Sequence, residues 1–227
     1  MPSTAVLIVD MQNGFLHPDG SLARAGMGLP DAEPATGAAE ALIASARASG
    51  LPVVYTRHVI SEGGPEMSPA WREAAAPVFA VEPRMLCHGS WDAQVLDRLA
   101  PAAGDVVVDK DRYDAFLHTA LEETLRGLGV ERLVVAGVLT NVCVESTVRS
   151  ALERRFDVAV ASDATAAHER YQEPSLAAMS AVFATVAPWA ELVPSPGEER
   201  VATRWTRVWH RRLPPAEHTV IDTGRTV

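Results

Sequence analysis

The chain has 227 residues, 48% of them hydrophobic, and a formal net charge of −9, which fits one well-buried domain with a short appendage and is too little for two large ones. The acidic balance, with arginines scattered along the chain, argues against nucleic acid and suits a neutral or cationic small-molecule substrate. No run of about eighteen apolar residues is present and no basic segment precedes the first strand-like run, so a cytoplasmic protein with no membrane partner is expected.

In chain order, a first strand is predicted over Ala5–Asp10, a helix over Pro34–Ser49 and a second strand over Pro52–His58. Residues Ser61–Val81, rich in Gly, Pro and Ala, read as a long connection serving as a lid or an oligomer contact. A helix over Trp91–Leu99, a strand over Asp105–Asp109, a helix over Ala115–Leu128 and a strand over Arg132–Gly137 follow. The series closes with a helix over Val142–Arg155, a strand over Val158–Ser162, a helix over Pro174–Val186 and a short strand around Trp189–Val193. Gly50-Leu51-Pro52, Pro101-Ala102-Ala103-Gly104 and Gly127-Leu128-Gly129 punctuate the returns from helix to strand. The strands are rich in Val, Leu and Ile with little polar alternation, the pattern of strands buried on both faces. The expected fold is α/β: a three-layer α/β/α sandwich around a six-stranded, mostly parallel, Rossmann-like sheet over residues 1–194. From Pro194 the composition shifts to Arg, Pro, Glu and Thr, so 195–227 is expected to be a tail, either disordered or packed on a neighbouring subunit.

Ligands of open parallel sheets bind beyond the carboxyl ends of the strands. Asp10 ends the first predicted strand, Lys110 follows the third, and Cys143 follows the fourth. The chain has nineteen Arg and one Lys; either this site keeps Lys against the bias because it needs a compact ammonium with a tunable pKa, which Arg cannot supply, or one surface Lys has survived by chance. Cys143 stands at a predicted helix start, with Thr140 or Asn141 available as N-cap, where the dipole and free N–H groups favour a thiolate and can hold an oxyanion. Its pKa is therefore expected to fall. Asp10 follows five apolar residues and is expected to act as general base, or to cap the loop Met11–Phe15, or both. Cys87 reads as a small buried hydrophobe. Two cysteines are too few for a disulfide framework, and neither has zinc-site spacing.

Three stretches in order, Ala5-Val6-Leu7-Ile8-Val9-Asp10-Met11-Gln12-Asn13-Gly14-Phe15, Val108-Asp109-Lys110-Asp111-Arg112-Tyr113-Asp114-Ala115-Phe116 and Gly137-Val138-Leu139-Thr140-Asn141-Val142-Cys143-Val144-Glu145-Ser146-Thr147, carry a resemblance. The sequence resembles the isochorismatase-like cysteine hydrolases, a family that includes nicotinamidases, N-carbamoylsarcosine amidases, ureidoacrylate and biuret hydrolases and a streptothricin lactam hydrolase. The resemblance implies a catalytic triad of Asp10, Lys110 and Cys143, a covalent acyl-enzyme, and a cis peptide between Val138 and Leu139 that turns the Leu139 N–H, with that of Cys143, toward the oxyanion. Its motifs look closest to those of the ureidoacrylate and other ureido hydrolases, so the implied activity is amide C–N hydrolysis by a homodimer or homotetramer. Nicotinamidases hold a metal through an Asp-x-His pair; the matching Thr56-Arg57-His58 lacks the Asp, so neither a metal nor another cofactor is expected. Phe15, Trp91, Tyr113 and Phe116 are expected to wall an aromatic slot, with Asn13, His58 and Thr140 as polar lining. Many relatives have Ser where Asp114 stands. An acid there would recognise a cationic, streptothricin-like lactam, or would merely cap the following helix. A vinyl-ether hydrolase or carrier-binding module of the same fold is the further alternative.

Overall fold

The computed structural model describes residues 3–61 and 68–193. Six strands, β1 (Ser3–Val9), β2 (Val53–His58), β3 (Val106–Lys110), β4 (Val130–Val138), β5 (Asp157–Ala166) and β6 (Thr185–Ala187), pair in parallel in the order β3-β2-β1-β4-β5-β6. The sheet is thus wholly parallel. Val6, Leu7, Ile8 and Val9 of β1 and Leu133 to Val135 of β4 have no exposed surface, and burying each such aliphatic side chain contributes about 1.5–3 kcal/mol. Helices flank the sheet: α1 (Asn13–Leu16), α2 (Ser21–Arg24), α3 (Glu33–Ala48), α4 (Pro69–Val81), α5 (Leu121–Gly127), α6 (Glu145–Glu153), α7 (Glu169–Val182) and α8 (Trp189–Leu192). One apolar cluster joins Leu121, Leu125, Val148 and Met179 to one face; the other joins Ala39, Leu42 and Ile43 of α3 to the opposite face. Among the described residues no helix is long and apolar enough to cross a membrane.

Several elements differ from the sequence reading. The helix expected over Trp91–Leu99 is a loop with a single 3-10 turn at Asp97–Leu99. Buried Asp92 holds that loop open, accepting from the Ser21 N–H (2.9 Å), the Ser21 hydroxyl (2.7 Å) and the Leu86 N–H (2.8 Å). The helix expected from Ala115 begins only at Leu121, because Asp114 and Thr119 hydrogen-bond the intervening backbone instead. The strand expected at Trp189–Val193 is helix α8, and β6 occupies Thr185–Ala187, overlapping the end of the expected last helix. Pro188 starts α8, and the Asp163 carboxylate accepts from the Trp189 N–H at 2.8 Å. Helix α7 begins at Glu169, five residues before Pro174. The segment 69–81 of the expected Ser61–Val81 connection is helix α4, while 62–67 and the expected tail 195–227 lie outside the described residues.

The order of strands changes direction between β1 and β4. A crevice opens at their carboxyl ends at such a point. Gly137 makes the approach possible: its φ is +128°, and a Cβ there would stand 2.0 Å from the Val9 carbonyl oxygen.

Candidate active site

Four strand ends deliver four side chains to that crevice. Asp10 follows β1 with a left-handed φ of 51°, His58 ends β2, Lys110 ends β3 in register with His58, and Cys143 lies in a π-helical turn (Thr140–Val144) between β4 and α6. The Asp10 and Lys110 side chains are fully buried and form an ion pair of 2.6 Å. The other Asp10 oxygen accepts from the Thr56 hydroxyl at 2.7 Å. Lys110 Nζ also donates to the Arg112 carbonyl at 2.9 Å and approaches His58 Nδ1 at 3.4 Å and Cys143 Sγ at 3.5 Å. A buried ion pair breaks even only when such extra hydrogen bonds satisfy its remaining lone pairs and protons. A planar guanidinium would not fit this small cage, which accounts for the lone lysine.

Burial would lower the Lys110 pKa, but the Asp10 carboxylate at 2.6 Å outweighs it and the pKa is raised, so Lys110 stays an ammonium. Burial, followed by the nearby carboxylate of Asp10, pushes the Cys143 thiol up, against the pull of Lys110. The expected fall in its pKa is therefore not found: a fully enclosed sulfur loses more from desolvation than one helix start and one ammonium return. No side chain caps the turn either; the Leu139 carbonyl instead accepts from the N–H groups of Val142 (3.0 Å) and Val144 (3.2 Å), on either side of Cys143. Burial and then Lys110 lower the His58 pKa to about 4, so its ring is neutral at physiological pH.

The Val138–Leu139 peptide is cis. Phe15 is buried in a cluster with Val138 and Leu139. Tyr113 stacks on His58 with ring centres 6.3 Å apart, and its hydroxyl accepts from the Trp71 indole N–H at 2.6 Å, which ties α4 to the site. Asn13 is buried and spent on the Trp91 carbonyl at 2.9 Å. Thr140, also buried, donates to Gln172 at 2.8 Å.

Three expected lining residues serve other ends. Phe116 is core, stacked on Phe156 at 5.8 Å, because the turn after Asp114 points it away from the sheet edge and under α6. Trp91 is 43% exposed and meets His17 edge-on, since the loop around Asp92 directs it outward. Asp114 spends both oxygens locally, on the Phe116 N–H (2.8 Å) and the Ser150 hydroxyl (2.7 Å). Cys87 is a half-buried free thiol.

Sequence reasoning missed Gln12, Thr56 and Trp71. The Gln12 amide accepts from the His58 N–H (2.7 Å) and donates to the His58 and Ala93 carbonyls (2.9 Å each), fixing the β2 end to the Asp92 loop. A polar residue one strand away in register with the end of β1 was the available signal for Thr56. Nothing local marked Trp71.

A buried thiol, carboxylate and ammonium gathered at the switch point of a parallel α/β sheet define a cysteine hydrolase. An isochorismatase domain model matches residues 4–191. The chain belongs to the isochorismatase family. It is 37% identical over 196 residues to the ureidoacrylate amidohydrolase RutB of Methylobacterium radiotolerans, covering 81% of this chain and 76% of that protein. A cysteine hydrolase from Pseudomonas syringae pv. phaseolicola superposes with a TM-score of 0.73 at 31% identity, covering 83% of this chain and 90% of the other. The N-carbamoylsarcosine amidase of Thermoplasma acidophilum gives 0.66 at 30% identity, covering 83% and 97%.

Proposed function

We propose that this chain hydrolyses the C–N bond of a small ureido or carbamoyl amide, with Cys143 as nucleophile. The observation that carries the reading is the buried sulfur of Cys143 within 4.8 Å of the Asp10 carboxylate and 3.5 Å from the Lys110 ammonium. A thiol that rests protonated beside a carboxylate needs that carboxylate as its base. Asp10 takes the S–H proton as sulfur attacks the carbonyl carbon, and the N–H groups of Leu139 and Cys143 receive the oxyanion. Collapse breaks the C–N bond, and Asp10 returns the proton to the leaving nitrogen. On a ureido group the sulfur then carries a carbamoyl. Water, deprotonated by Asp10, attacks this thioester-type intermediate, and the thiol leaves reprotonated. Lys110 holds the carboxylate in place and stays cationic throughout.

Relatives named ureidoacrylate amidohydrolases support a ureido acid as the substrate class. Asp114 gives no support to a cationic, streptothricin-like lactam, because both its oxygens are engaged. Vinyl-ether hydrolysis needs no thiol and would leave Cys143 without a task. Pairing of Arg24, Arg47, Arg57, Arg98 and Arg149 with carboxylates supports a small-molecule partner over a polyanion. A panel of ureido, carbamoyl, lactam and nicotinamide-type amides, read by ammonia or amine release, tests the reading. Cys143→Ala and Cys143→Ser should both be inactive with unchanged circular dichroism; turnover by both variants would defeat it.

A further inference from the structure

Lys110 Nζ sits inside a cage of four atoms that carry lone pairs: Asp10 Oδ2 at 2.6 Å, the Arg112 carbonyl at 2.9 Å, His58 Nδ1 at 3.4 Å and Cys143 Sγ at 3.5 Å. Carboxylate, carbonyl, imidazole and sulfur together are the ligand types of a borderline-soft divalent ion, and the hard ions Mg²⁺ and Ca²⁺ demand more oxygens than this cage has. Asp10, His58 and Cys143 are all buried, and one ligand atom from each lies within 4.8 Å of the other two. Tetrahedral Zn²⁺, with bonds of about 2.0 Å to oxygen or nitrogen and about 2.3 Å to sulfur, holds such atoms roughly 3.3–3.5 Å apart. The cage therefore needs to contract by up to about 1.3–1.5 Å once its centre is vacated.

We propose that this cage is a latent site for a thiophilic divalent cation, Zn²⁺ in the first instance, which enters by displacing the Lys110 ammonium and blocks Cys143. The ammonium is the resident cation of the site, and a metal ion competes for the same position. Two cations cannot share it, so Lys110 must swing out of contact for the metal to enter. As the metal–sulfur bond forms, the Cys143 thiol proton passes to solvent. Such an ion is an inhibitor and not a cofactor, because it occupies the sulfur lone pair that would attack a carbonyl and the carboxylate that would take the proton. The inference uses the side chains of the proposed hydrolytic site but not its turnover.

The test uses a Cys87→Ser background, so that Cys143 is the remaining thiol. Lys110→Met should bind one Co²⁺, with a sulfur-to-metal charge-transfer band and the visible absorption of a tetrahedral ion. The band should vanish in Lys110→Met/Cys143→Ser and need about tenfold more Co²⁺ in Lys110→Met/His58→Ala. With Lys110 present, Zn²⁺ should slow iodoacetamide alkylation of Cys143, EDTA should reverse this, and Mg²⁺ should have no effect. Half-protection there should require at least about tenfold more Zn²⁺ than in Lys110→Met. A folded Lys110→Met protein without the band, or a band unaltered by loss of Cys143 or His58, overturns the proposal. If Lys110→Met does not fold, alkylation of the lysine-bearing protein decides, and a rate indifferent to Zn²⁺ overturns it. Neither readout measures hydrolysis of an amide bond, so failure of the hydrolytic reading would be seen separately.

Discussion

His58 makes the acid stability of this protein calculable. His58 is 8% exposed, and burial with the adjacent Lys110 ammonium lowers its pKa from 6.5 to about 4. Between those two pH values the unfolded chain binds a proton that the folded chain refuses. Stability therefore rises with pH across this window: the contribution is present above 6.5 and is lost as pH falls toward 4. At about 1.4 kcal/mol for each pH unit of separation, the full loss is roughly 3 kcal/mol. Other carboxylates titrate in the same range, so the measurement is a difference. His58→Gln keeps a neutral side chain that can accept from Lys110 and removes the titration. Urea unfolding of both proteins at intervals from pH 7.5 to pH 4 should give a stability difference that is constant above about pH 7 and moves by roughly 3 kcal/mol in favour of the glutamine variant at the acid end. A difference that stays flat down to pH 4 would refute the reasoning, because it would mean that the folded protein accommodates an imidazolium beside Lys110.

Lys110→Arg keeps the charge but forces a planar group into a cage with a 2.6 Å contact, so kcat should fall about a hundredfold or more through displaced reacting groups, and wild-type turnover would remove any special role for the lysine. Gly137→Ala should cost several kcal/mol, since it combines a φ of +128° with a Cβ 2.0 Å from the Val9 carbonyl oxygen; thermal melting and soluble yield report it, and an unchanged melting temperature would contradict the crossing geometry. Asp114→Ala should lower stability by about 1–2 kcal/mol and leave the ranking of neutral and cationic substrates unaltered, whereas a selective loss of cationic substrates would return Asp114 to the pocket.

The layer structure and the four crevice groups, His58 among them as a polar lining residue at the end of the second strand, were legible because their signals are local. Val-, Ile- and Leu-rich runs ending in Asp10 and in Asp109-Lys110, and the Gly137 to Cys143 stretch opening a helix, place acid, ammonium and thiol at strand ends without knowledge of which strands are neighbours. Aromatic residues were misassigned because exposure depends on loop paths. Trp91 turns outward on a loop pinned by Asp92, and Phe116 turns into the core after a cap that delays the helix. The short strand β6 was confused with α8 because elements of three and four residues carry too little periodicity to tell strand from helix.

The sequence alone determined the alternation of strand and helix, the single lysine, and the residues that end each strand, since all of these follow from side-chain chemistry and spacing along the chain. The protonation of the site was decided only in three dimensions. Whether Cys143 rests as thiol or thiolate, whether His58 carries a charge, and whether Asp114 meets a substrate depend on desolvation and on partners 33 to 52 positions away in the chain. Those quantities exist only once the strands have taken the order that brings β3, β2, β1 and β4 to one edge.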